Sequence, residues 1–164
     1  MTRRTQIPLI TVALLVAGLA QAGTVEVSFV QPERYTDAGR GPEAEATRKA
    51  LDQHLQALGQ TGLPAQQRLR IEILDIDLAG EIRPMLNLGN ELRVLKGRAD
   101  WPRIHLRYTL SDGAQILSNG DESISDMAYL TGTRTNDRSG SLPYERRLLN
   151  DWFLNHFGPA AAKP

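Results

Sequence analysis

The sequence predicts an α+β fold: a mixed, mostly antiparallel sheet of about four to five strands with two amphipathic helices packed on it, after a cleaved signal peptide. Three observations predict it. Apolar residues recur at every second position in several separate stretches, which is the pattern of half-buried strands. Two other stretches carry them at helical spacing. The first twenty-two of the 164 residues follow a secretory pattern rather than a folding one.

Residues 1–22 open with Arg3 and Arg4, continue as an apolar run from Ile7 to Leu19, and end on Ala20-Gln21-Ala22. Positive start, short apolar core and small-x-small ending are what signal peptidase reads, and cleavage is expected between Ala22 and Gly23. The run falls short of the roughly 20 apolar residues needed to span a bilayer. No cysteine follows it, so a lipid anchor on a processed N-terminal cysteine is chemically excluded. The expected location is the periplasm, with no membrane anchor after cleavage.

Residues 23–158 then read as a single globular domain. Thr24 to Val30 alternates Val25, Val27 and Phe29 against Thr24, Glu26 and Ser28, a half-buried strand. Gln31 to Gly41 is a loop. Pro42 can open a helix because its missing N–H is not needed in the first turn. Glu43 and Glu45 suit that end of the helix dipole. Thr47, Leu51, Leu55 and Leu58 form the buried stripe, and Gly59 and Gly62 end the helix.

Leu69, Ile71 and Ile73 resume period-two alternation, and Leu74, Ile76 and Leu78 continue it with opposite parity. The Ile73-Leu74 step means either a β-bulge or a strand buried on both faces. From Gly80 to Asp100 the pattern is ambiguous, with Glu91 to Lys96 readable as a short edge strand. Ile104, Leu106, Tyr108 and Leu110 alternate cleanly against Arg103, His105, Arg107 and Thr109. Ser111-Asp112-Gly113 turns the chain, and Gln115 to Ser123 returns as a hairpin arm. Gly132 to Ser141 is a polar loop. Leu142-Pro143 opens a second helix whose apolar face carries Tyr144, Leu148, Trp152, Phe153 and Phe157. Gly158 stops it, and residues 159–164 form a small-residue tail.

Composition narrows the function classes. The chain has 19 basic and 19 acidic side chains; losing Arg3 and Arg4 leaves the mature protein slightly acidic. Nucleic acid is an unsuitable partner, since it calls for a basic face. An envelope protein or a small ligand remain as partner classes. With no cysteine the fold must hold by its apolar core alone, despite an oxidising compartment.

Asp75 and Asp77 stand two apart in an extended run, so their carboxylates point to the same side, and Glu81 follows just beyond. Such a trio has the oxygen chemistry of a hard-cation site, though it lacks the Gly-punctuated loop of alternating acids. Asp121, Glu122 and Asp126 form a second acidic run. The histidines, His54, His105 and His156, are isolated, without the paired spacing of a zinc site. No Gly-x-Ser-x-Gly turn and no Gly-rich phosphate loop is present, so neither a catalytic residue nor a cofactor is expected. The stripe Arg103, His105, Arg107 suits either an anion or acids on a neighbouring strand.

Five stretches together resemble one bacterial family. They are Pro32-Glu33-Arg34-Tyr35-Thr36-Asp37, Asp75 through Glu81, Pro102-Arg103-Ile104, Gly120-Asp121-Glu122 through Asp126-Met127, and Tyr144-Glu145-Arg146-Arg147-Leu148-Leu149-Asn150-Asp151-Trp152-Phe153. The family is domain of unknown function 3016, and the last stretch is the most specific. The resemblance covers essentially the whole mature chain and implies a secreted or periplasmic protein of a Gram-negative bacterium. It assigns no activity. Within these stretches, the polar residues that packing does not explain are Tyr35, Asp37, Asp75, Asp77, Glu81, Arg103, Asp126 and Glu145, the candidate binding residues. The expected role is a non-enzymatic binding or accessory module of the cell envelope. The alternative is a metal-assisted hydrolase or cation-binding protein using Asp75, Asp77 and Glu81.

Overall fold

The computed structural model describes residues 22–84, 91–97, 99–131 and 141–158. The expectations for the leader, the polar loop at 132–140 and the tail at 159–164 lie outside the described residues. Strand β1 (Thr24–Phe29) is followed by a 3-10 turn at Pro32–Arg34, helix α1 (Pro42–Gly62) and strand β2 (Gln67–Asp77). Then come β3 (Glu81–Pro84), β4 (Glu91–Val94), the long hairpin β5 (Arg103–Asp112) and β6 (Gln115–Ser125), and helix α2 (Pro143–Phe157).

Four strands make one sheet in the order β1-β2-β5-β6. β1 runs parallel to β2, β5 runs antiparallel to β2, and β6 runs antiparallel to β5. The parallel pair requires a crossover, and α1 supplies it. β1 and β6 are the two edges. The Ile73-Leu74 step proves to be a β-bulge, because the register of β2 on β5 slips between Ile73 and Asp75. The slip lets Ile76 fall on the same buried face as Leu69, Ile71 and Ile73.

That face carries the core. Leu69, Ile71, Ile73, Ile76, Ile104 and Leu106 are fully covered and pack against Leu51 and Leu55 of α1 and Leu149, Trp152 and Phe153 of α2. The opposite face of the sheet is open and charged, as an antiparallel sheet covered on one side should be. Along it Arg107 faces Glu72 of β2 and Asp121 of β6, while Arg70 faces Glu26 of β1. The basic stripe on β5 thus pairs with acids on both neighbouring strands.

β3 and β4 correct one expectation. The segment from Glu91 is a strand, but it does not edge the main sheet; it pairs with β3 in a separate two-stranded ribbon. β3 starts where Gly80 adopts φ 88°, a left-handed turn that swings the chain away from β2. A Cβ there would stand 2.7 Å from the Val94 carbonyl oxygen, so glycine also permits the ribbon's close approach. Among the described residues no helix is long and apolar enough to cross a membrane.

Candidate functional site

Six of the eight candidate residues, Tyr35, Asp37, Asp75, Asp77, Arg103 and Glu145, gather at the C-terminal end of β2. The Ile73 carbonyl faces β1 by the regular alternation of the strand, and it accepts from the Val30 N–H at 2.9 Å and from the Tyr35 hydroxyl at 2.8 Å. The bulge just beyond it reverses the alternation, so the Ile76 carbonyl and the Leu78 N–H face that side too. Burial of the Tyr35 hydroxyl pushes its pKa up to about 12. Two residues beyond Ile73, Asp75 clamps Thr36, accepting from its N–H and its hydroxyl, each at 2.7 Å. Asp37 then pairs with β2 as a single parallel bridge: its N–H donates to Ile76 and its carbonyl accepts from Leu78. Each of these three consecutive loop residues is thereby bonded to β2.

The Asp37 carboxylate receives Arg93 of β4 in a two-pronged pair at 2.7 and 3.2 Å, and the Gly39 N–H at 3.0 Å. Partial burial pushes this carboxyl up, but the Arg93 hydrogen bonds, the Gly39 N–H and the charges of Arg93 and Arg40 together hold it below the usual aspartate range. Arg93 also reaches the carbonyls of Ala79 and Gly80 at 3.5 and 3.4 Å, and Glu43 of α1 at 3.8 Å. Glu145, in the first turn of α2, is only 2% exposed. Its carboxylate accepts from the Ala79 N–H at 2.8 Å, and burial raises its pKa above the usual glutamate value. Four elements meet here: the β1 loop, the β3–β4 ribbon, α2 and the end of β2.

On the open face of the same strand end, Asp77 takes Arg103 at 3.0 and 2.8 Å, and the Arg103 guanidinium lies 5.5 Å from the Trp101 ring centre. Thr36, Asp75, Asp77, Arg103, Ile104, His105 and Ser123 line a depression of about 320 Å³. His105 leans out of it toward Asp121, at 2.6 Å.

Two candidates lie elsewhere. Glu81 begins the ribbon and pairs with Lys96 and Arg83, whose charges hold its carboxyl low. Asp126 pairs with Arg147 of α2, which also bonds the Tyr129 carbonyl. The trio Asp75, Asp77 and Glu81 is therefore not assembled, and the described residues hold no group of three or more acids or histidines placed to grip a metal ion.

Two participants escaped the sequence reading. Thr36 sits between two noticed residues, and its small hydroxyl carries no signal of its own. Arg93 lies in the stretch left ambiguous. A cation on a four-residue strand gives no local hint that its partner is Asp37, 56 residues away.

What this geometry does chemically is fasten. Every carboxylate in it faces a cation or a backbone N–H, and the one acid made harder to ionise, Glu145, is sealed from solvent. A family model described as a protein of unknown function, DUF3016, matches residues 23–155. The chain belongs to this family. The matched span takes in all six converging residues and stops inside α2, so the fastened strand end lies wholly within the family's domain. No curated protein and no solved structure gives a significant match.

Proposed function

We propose that this member of the family is an exported, periplasmic protein and a non-enzymatic binding or accessory module of the cell envelope. The observation that carries the reading is the convergence at the end of β2. The polar residues that packing left unexplained at the sequence level act as struts, tying a loop, a ribbon and a helix to one strand. Such bracing holds a surface in shape for recognition, as a site built on rigid elements requires. Export is supported by the leader pattern and by the packing of the residue expected to become the new N-terminus. Ala22 is exposed, whereas Gly23 is buried and donates its N–H to the Leu63 carbonyl at 3.1 Å, one residue before β1 begins.

Expression of the full chain with a C-terminal tag, followed by cell fractionation and intact mass, tests export. The expected product is periplasmic and begins at Gly23; a cytoplasmic, unprocessed chain overturns that half of the reading. Turnover on a broad panel of hydrolase substrates, abolished in Asp75→Asn or Asp77→Asn, overturns the other half.

A further inference from the structure

The two edges of the sheet differ. β6 is long, and its helix-facing side carries a charge: Glu122 accepts from the Trp152 indole N–H at 3.1 Å and contacts His156 at 3.0 Å. An inward charge of this kind protects an edge against pairing. β1 has no such device on the corresponding side, where Val25, Val27 and Phe29 are half-buried.

The backbone of β1 points the same way. Val30 donates its N–H to Ile73 of β2, and N–H groups alternate direction along a strand, so Ser28, Glu26 and Thr24 also face β2. Val25, Val27 and Phe29 therefore turn their N–H and C=O groups outward, to the free edge. The same three residues, with Glu26 already held by Arg68 and Arg70, line a groove of about 680 Å³. Its other wall is the outer flank of α1: Glu45, Arg48, Lys49, Asp52 and Gln56. Backbone donors and acceptors, apolar side chains at alternate positions and an overhanging helix are the parts that strand-addition sites use.

The charges on the helix wall describe the occupant. The sheet's cations Arg68, Arg70, Arg103 and Arg107 each face a carboxylate. Among the described residues Arg48 and Lys49 enter no ion pair, while Glu45 stands one turn before them and Asp52 one turn after. Asp52 is already bonded by Gln56 at 2.9 Å. A negative group is thus welcome at the middle of the groove and unwelcome at its ends.

We infer that the β1 edge is a docking site for an extended peptide segment of a partner protein. That segment adds a fifth strand to the sheet, with apolar residues at alternate positions and a central Asp or Glu facing Arg48 and Lys49. The outward run from Val25 to Phe29 spans about 13 Å at 3.3 Å per residue, enough for some five partner residues. The inference rests on the binding-module reading and gives it a partner class.

The test is selection of a displayed random decapeptide library on the full chain as purified after expression with its own N-terminal segment. Enriched peptides are expected to alternate apolar residues around a central acid. An enriched peptide, synthesised with a fluorophore, should bind about 10-fold or more weakly to Arg48→Glu/Lys49→Glu, as the loss of about 1.4 kcal/mol requires. Its central-Lys counterpart should prefer that variant. Val27→Pro should abolish binding while leaving the β1–β2 ladder intact, because the N–H it removes faces outward. If Val27→Pro fails to fold, the charge swap alone decides. No enrichment over a blank surface, or binding indifferent to both changes, overturns the inference. So does a dimer in light scattering that Val27→Pro dissolves, since the groove would then hold a second copy. These failures leave periplasmic location and lack of turnover untouched, so they are distinguishable from failure of the broader reading.

Discussion

If the Asp37–Arg93 pair braces the strand end, breaking it should loosen the fold by an amount its burial sets. The two side chains are 25% and 22% exposed, and two charge-assisted hydrogen bonds join them. Exposed pairs contribute about 0.2–1 kcal/mol. Breaking a fully buried one costs about 3–5 kcal/mol, because an uncompensated charge is left behind. With roughly three-quarters of each side chain covered, Arg93→Met should cost about 2–3 kcal/mol, below the buried limit because water can reach the stranded carboxylate. Asp37→Asn should cost somewhat less, since the amide oxygen can still accept from Gly39. In the double variant the losses should overlap by about 1–2 kcal/mol, the coupling typical of contacting charges. Urea unfolding followed by circular dichroism measures all four corners of the cycle. Hydrogen exchange on the same samples should show the amides of β3 and β4 losing protection first. A cost under about 0.5 kcal/mol for Arg93→Met, or a coupling within the 0.3 kcal/mol additivity error, refutes the bracing role.

Three further outcomes can be measured in the same way. Glu145 binds its proton more tightly folded than unfolded, so its contribution to stability declines as pH rises from its ordinary value near 4.5 through the raised folded value. Glu145→Gln keeps an acceptor for Ala79 and removes that titration, so the decline in urea midpoint above pH 4.5 should flatten; an unchanged slope counts against the assignment. Asp37 works in the opposite sense: its carboxyl is depressed, so its contribution is present above the ordinary 3.8 and lost as pH falls through the folded value. Asp37→Asn should therefore narrow its deficit against the parent protein below pH 3.8, measured in the same titration. Finally, a Cβ on Gly59 would stand 2.1 Å from Val25 Cγ2, where α1 crosses β1. Gly59→Ala should destabilise by about 1–3 kcal/mol through overpacking, despite a helix-propensity gain of about 1 kcal/mol, and Val25→Ala should relieve part of that loss. A more stable Gly59→Ala protein would refute the close approach.

Local periodicity makes most elements legible, because β1, β2, β5 and both helices each bury one side against the same core. β6, with no buried residue, is legible only through the turn at Ser111-Asp112-Gly113 that precedes it. The bulge in β2 is legible only as an ambiguity. Opposite parity across Ile73-Leu74 fits two structures, and the pairing partner on β5 decides between them. β4 is legible as a short strand from Glu91, but β3 and its pairing with β4 escape for a physical reason: four-residue strands outside the main sheet need no apolar alternation. The ribbon's anchor escapes with them, since Arg93 is recognisable only through Asp37. Glu81 shows the converse. Its distance along the chain from Asp77 is short, but the left-handed turn at Gly80 carries it onto the ribbon and to Lys96, away from the carboxylates it was grouped with.

The same contrast explains why the strand end is braced as it is. A parallel strand such as β1 is joined to its neighbour only through a long crossover, so its loop has no hairpin to hold it. Tyr35, Thr36 and Asp37 replace that missing hairpin, bonding Ile73, Asp75 and Ile76 in turn, and Arg93 locks the third of them from the far side. The bulge completes this by reversing the alternation of β2 beyond Ile73. Without it the Ile76 carbonyl and the Leu78 N–H would face the β5 ladder, and Asp37 would have no backbone to bridge. The candidate residues are therefore consequences of one topological choice, the parallel pairing of β1 with β2. That choice also places β1, with Val25, Val27 and Phe29 turned outward, at the open edge of the sheet.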